Sequence, residues 1–157
     1  MKCAAPLSYR IRAPQPREAD AVAELHGALF DRPWGGDSLR RLLGMPSARA
    51  FIAEAGSAHV LAGFILGQVA ADESEVLSLG VAPAWQRCGI AGNLIREFST
   101  SAARSGAKRV FLEVAAENSP AIALYLQEGF RHVGRRKCYY ERRGADFADA
   151  LVLAMTW

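Results

Sequence analysis

The chain has 157 residues, 51% of them hydrophobic and 22% charged, a balance that fits a folded globular domain and excludes a disordered tail, a collagen repeat or a coiled coil. With 19 Lys and Arg against 16 Asp and Glu, the net charge of +3 permits an anionic ligand, and no block of like charges reads as a nucleic-acid arm. A single domain over residues 1–157 is expected, with no direct nucleic-acid or membrane partner, since no window approaches about 18 unbroken apolar residues.

Residues 7 to 12 alternate as a first strand, stopped by Pro14 and Pro16. Ala21, Val22, Leu25, Ala28 and Leu29 form a helical stripe within residues 17–30, and a short helix follows over 37–43, closed by Gly44 and Pro46. The period then changes to that of strands at 50–55, 59–70 and 75–81, the last ended by Pro83. A helix over 89–104 carries Ile90, Leu94, Ile95, Phe98 and Ala102, and residues 109–115 read as a strand. A helix over 119–128 is capped by Asn118 or Ser119, with Pro120 in its first turn and Gly129 after its end. Its apolar stripe is Ile122, Leu126 and Phe130, with Tyr125 beside it. The last strands are expected at 130–135 and 147–155. A meander followed by alternating strands and helices predicts a mixed α/β (α+β) sheet with helices on both faces.

The segment 79–93, LGVAPAWQRCGIAGN, is the most informative. A strand runs through a short loop into a helix whose start carries Gly89, Ala91 and Gly92. The unpaired N–H groups and the positive dipole end of such a helix suit a phosphate, small residues let it approach the backbone, and Arg87 adds a cation. The spacing is neither a Walker loop nor a dinucleotide-binding GxGxxG. Along 111–114 (FLEV), Glu113 points away from the face of Leu112 and Val114. Tyr125 reads equally as a packing residue.

Three cysteines, Cys3, Cys88 and Cys138, with no CxxC pair, argue against a disulfide framework or a zinc site and fit a reducing, cytoplasmic setting. Met1–Arg10 holds no apolar core of signal-peptide length. His26, His59 and His132 lack metal-ligand spacing, so no metal is expected.

Two segments together resemble one known family. Residues 81–91 fit V-x-P-x-[WYF]-[QR]-[RK]-x-G-[IL]-[GA], and residues 113–130 fit E-V-x-x-x-N-x-x-A-x-x-L-Y-x-x-x-G-F, as in the GNAT N-acetyltransferases. Pro33-Trp34 and Tyr139-Tyr140 are similar to the RimI-like ribosomal-protein alanine N-acetyltransferase branch, and the resemblance runs from about residue 8 to 156. It implies the acyl-CoA N-acyltransferase fold, with a mostly antiparallel sheet and a splayed strand pair, and acetyl-CoA as co-substrate. Leu79, Gly80 and Val81 would bind the pantetheine through their backbone. Arg87, Cys88, Gly89, Ile90, Ala91 and Gly92 would wrap the pyrophosphate, and Asn118 would contact the coenzyme. Glu113 would be the general base and Tyr125 the donor to the departing thiolate. Trp34, Tyr139 and Tyr140, the tyrosines in a loop before the last strand, would line the acceptor groove. Glu75, early in its strand, is a secondary carboxylate candidate.

Cys88 departs from the family pattern, standing where relatives often carry a second basic residue; at a helix start its thiol would be acidic and oxidisable. The expected acceptor is the N-terminal α-amine of a ribosomal protein. Acetylation of lysines or a small amine is the alternative within the family, and a non-catalytic acetyl-CoA sensor the alternative outside it. Retention of both Glu113 and Tyr125 argues against the sensor. The oligomeric state, monomer or weak dimer, is left open.

Overall fold

The computed structural model describes residues 8–141 and 147–157, with backbone alone for Tyr140 and Glu141. Leu7, expected to open the first strand, and Cys3 lie outside the described residues. The elements are β1 (Tyr9–Arg12), a 3-10 turn (Pro16–Glu18), α1 (Ala19–Leu29), α2 (Gly36–Leu43), β2 (Ala48–Ala55), β3 (Val60–Ala70) and β4 (Glu73–Val81). A second 3-10 turn (Pro83–Trp85) leads to α3 (Ile90–Arg104), β5 (Arg109–Ala115), α4 (Ser119–Gln127), β6 (Arg131–Glu141) and β7 (Phe147–Thr156).

The strands form one seven-stranded sheet in the order β1-β2-β3-β4-β5-β7-β6. Its pairs are antiparallel except β4 with β5, which run parallel. α3 and α4 cover one face: Phe98, Leu94 and Ile95 of α3 and Tyr125 of α4 pack with Ile65, Val76, Leu112 and Val114. α1 and α2 cover the other, where Val22 and Leu39 meet Ile52, Phe64 and Leu66. This is the expected mixed sheet with helices on both faces.

Three expectations are corrected. α1 buries Ala19, Val22 and His26, while Ala21 and Ala28 are exposed. His26 belongs to the core because its ring stacks on Phe30 (4.5 Å), Trp34 (5.0 Å) and Phe64 (5.8 Å), and its Nδ1 accepts the Trp34 backbone N–H at 3.2 Å. In α4 it is Tyr125 that is buried, whereas Leu126 is 50% exposed. The helix is turned so that Tyr125 meets the edge of Phe130 at 5.6 Å. Finally, β6 runs on to Glu141, so Tyr139 and Tyr140 lie in a strand and not in a loop.

The parallel ladder between β4 and β5 is short. It pairs Glu73–Val76 with Arg109–Leu112 and then stops. A register shift between Leu66 and Gly67 against β4 carries the pairing from Val76 to Ser78 and skips Leu77. Such an extra residue bends a strand. Beyond it, β4 continues to Val81 paired, among the described residues, with β3 alone, while Glu113–Ala115 of β5 pair with β7.

Candidate active site

The parting of β4 from β5 opens a cleft of about 830 Å³ on the α3/α4 side. Its floor is Leu79, Gly80 and Val81, the part of β4 whose β5-side edge has no ladder partner among the described residues. Buried backbone amides need partners, and an extended, amide-bearing ligand can supply them.

One wall is the start of α3, contributed by Arg87, Gly89, Ile90, Ala91 and Gly92. The chain reaches it through two left-handed residues, Arg87 (φ 63°) and Gly89 (φ 81°, the N-cap). Left-handed residues at a helix start are the kind of turn in which successive N–H groups form a nest suited to phosphate oxygens. The opposite wall is α4, with Asn118, Ala121, Leu124 and Tyr125. Asn118 caps α4, its Oδ1 accepting the Ala121 N–H at 3.4 Å, and also faces the cleft. Sequence reasoning missed Arg96 and Glu128, which join the walls: Arg96 Nε and Nη2 donate to the Glu128 carboxylate at 2.9 and 2.8 Å. They lie 32 residues apart, and only the packing of α4 brings them together. A Cβ on Gly92 would stand 2.5 Å from Glu128 Oε1, so that pair sits where a larger residue would go.

Cys88 is not among the residues that line the cleft; its sulfur is disulfide-bonded, so the free acidic thiol expected there is absent and the expectation of no disulfide is corrected. Among the described residues no cluster of three or more His, Cys, Asp or Glu side chains is placed to hold a metal ion. No helix among them is long and apolar enough to cross a membrane.

Glu113 lies on the other face of the sheet. In β5, Val110, Leu112 and Val114 are buried toward α3, and Glu113 projects oppositely with its side chain 12% exposed. Arg136 Nε lies 2.9 Å from Glu113 Oε1, and the Tyr139 phenol donates to the same carboxylate. That bond pushes the phenol above its ordinary value, because ionising it would set two anions together. Arg136 also lies over the Tyr139 ring, 5.1 Å from its centroid. Glu75 is on this side of β4, its Oε2 3.4 Å from Gln68 Nε2. Trp34 is half-buried, its ring against His26, away from the cleft. Ten of the anticipated residues thus line the cleft or its floor, Leu79 to Val81, Arg87, Gly89 to Gly92, Asn118 and Tyr125, while Glu113 and Tyr139 meet across the sheet.

Residues 19–130 match the acetyltransferase (GNAT) family. The chain belongs to the GNAT family. It is 41% identical over 133 residues to the N-alpha-acetyltransferase RimI of Mycobacterium tuberculosis, covering 82% of each chain. It is 30% identical to a putative [ribosomal protein bS18]-alanine N-acetyltransferase of Bacillus subtilis, covering 88% of this chain and 89% of that protein. Among solved GNAT structures, the ribosomal-protein-S18-alanine N-acetyltransferase of Escherichia coli superposes with a TM-score of 0.85 at 24% identity, over 95% of this chain and 94% of the other. The expected fold is therefore the one adopted, and the chain is an acetyltransferase by family.

Proposed function

We propose that the chain transfers the acetyl group of acetyl-CoA to the N-terminal α-amino group, that of an alanine, of a ribosomal protein in the cytoplasm. The observation that carries this is the opening between β4 and β5, with a phosphate-nest cleft on one face and the Glu113 carboxylate on the other. The relatives at 41% and 30% identity over most of both chains, one named an N-alpha-acetyltransferase and the other a putative ribosomal-protein alanine N-acetyltransferase, favour the α-amine acceptor.

The cleft fits the coenzyme by its own chemistry: an unpaired strand edge for amides, two positive-φ residues aiming N–H groups at a pyrophosphate, and Arg87 beside them. When bound, acetyl-CoA supplies the thioester to be attacked. The chain's residues do the rest. Glu113, directly or through one water, takes a proton from the acceptor amine, whose pKa near ~8 makes a carboxylate base sufficient. The amine nitrogen forms the new bond to the acetyl carbon as the carbon–sulfur bond breaks. Tyr125, on the cleft side, gives its phenolic proton to the departing sulfur. Arg136 and Tyr139 hold the base and edge the acceptor groove, with Tyr140 next to them in β6.

The test is mass spectrometry of peptides incubated with the protein and acetyl-CoA. A 42-Da gain (~42, one acetyl for one hydrogen) on an Ala-starting peptide with blocked lysines supports the proposal. Acetylation confined to lysine ε-amines rejects it, and coenzyme binding without transfer to any amine makes the chain a sensor.

A further inference from the structure

We propose that Asp149 is a positioning residue for the acceptor side of the reaction: it clips a bulge in β6 so that Arg136 and Tyr139 both face Glu113. This rests on the reading of Glu113 as the base that receives the acceptor proton.

On a regular strand, residues three apart point to opposite faces. Arg136 and Tyr139 nevertheless meet the same carboxylate. The register explains how. Arg136 pairs with Ala150 and Tyr140 with Ala148, so residues 137 to 139 all stand opposite Asp149. At the middle of this bulge Cys138 takes a left-handed conformation, φ 54°. Asp149 holds it at its middle and just before its start. Its Oδ1 accepts the Cys138 backbone N–H at 2.9 Å and its Oδ2 accepts Arg135 Nε at 2.7 Å. These two bonds, the Cys138 amide foremost, keep the Asp149 carboxyl below its ordinary range. Its own carbonyl accepts the Ala116 N–H at 2.8 Å, tying the clip to the turn that follows β5. A non-glycine residue at positive φ persists only where its surroundings impose it. Here they impose it beside the base.

The test reads the Tyr139 phenol in the full chain by NMR of ¹³C-labelled tyrosine rings, with Tyr139→Phe assigning the signal. In Asp149→Ala the Tyr139 titration should fall toward that of a free phenol. Acceptor kcat/KM should fall by up to about 10²-fold, chiefly through KM, while acetyl-CoA affinity holds. Asp149→Asn keeps an acceptor for the Cys138 amide and should lie between. Cys138→Val opposes positive φ and should lower the Tyr139 titration without touching Asp149, so it serves should Asp149→Ala not fold; Cys138→Gly should keep it raised. A titration unmoved in Asp149→Ala and Cys138→Val overturns the proposal. The NMR signal is independent of turnover. A titration that falls as expected in a protein that acetylates no α-amine upholds the clip and removes the reading of Glu113.

Discussion

At the scale of single residues, Tyr125 and Glu113 divide the proposed chemistry between two faces of one sheet. Tyr125 is both buried against Phe130 and part of the cleft wall, so packing and proton donation are compatible roles. Tyr125→Phe keeps the ring. Initial rates at saturating acetyl-CoA should fall by about 10²-fold. Heat denaturation should register no more than one lost hydrogen bond, about 0.5–1.5 kcal/mol. An intact rate with lowered stability would return Tyr125 to packing alone. Glu113→Gln keeps the size but accepts no proton. Turnover at pH 7 should drop by about 10²–10⁴-fold with coenzyme affinity unchanged, and the deficit should narrow as pH rises past the amine's ~8. A near-normal rate at pH 7 would move the base elsewhere, with Glu75 next in line.

Among the elements, the start of α3 is the most legible from sequence and β6 the least. Gly89 and the alternating buried face of β5 announce themselves, because small residues at a helix start and period-2 burial are local properties. Gly89→Val should raise the acetyl-CoA Kd about tenfold or more by calorimetry, since valine at φ 81° costs about 1–2 kcal/mol and re-aims the amides around it. An unchanged Kd in the folded variant would take the phosphates away from this loop. β6 carries an Arg135-Arg136-Lys137 run on the sheet's edge and a bulge after it, so no alternation marks its second half. The residue that its bulge faces, Asp149, lies in the next strand and is known only once β6 and β7 are paired. The burial of Tyr125, the stack around His26 and the Arg96–Glu128 pair were equally hidden, each depending on which element the fold lays alongside.

At the scale of the whole molecule, an acid-sensitive anchor holds the sheet's first edge. Glu54 of β2, 6% exposed, accepts from Arg12 Nε at 2.8 Å and Arg10 Nη2 at 3.0 Å, and also contacts His59; Arg12 reaches on to Glu18 at 2.5 Å. Hydrogen bonds from Arg12, first among the causes, hold both carboxyls at about 2 against an ordinary 4.5. Folded values below unfolded ones mean that their contribution is complete above about pH 4.5 and is lost as pH falls from there toward 2. His26, pushed below 6.5 by burial, acts in the same direction at higher pH, because the unfolded chain takes up its proton first. Denaturant midpoints measured from pH 7 to 3 should therefore fall, and Glu54→Gln should lower the neutral midpoint while flattening the slope below pH 4.5. An unchanged slope would exclude Glu54 as the source. The short β4–β5 ladder has a mechanical meaning as well. It is the seam between the β1–β4 meander and the β5–β7 group, joined by four residue pairs and by the core beneath α3. A coenzyme seated along Leu79 to Val81 would act as a rivet across that seam. Amides there should exchange with deuterium quickly in the free protein and slowly with acetyl-CoA. At 100 times Kd the coenzyme should add about 2.7 kcal/mol to the resistance of both halves to unfolding. The substrate would then serve as the missing rung of the enzyme's own sheet.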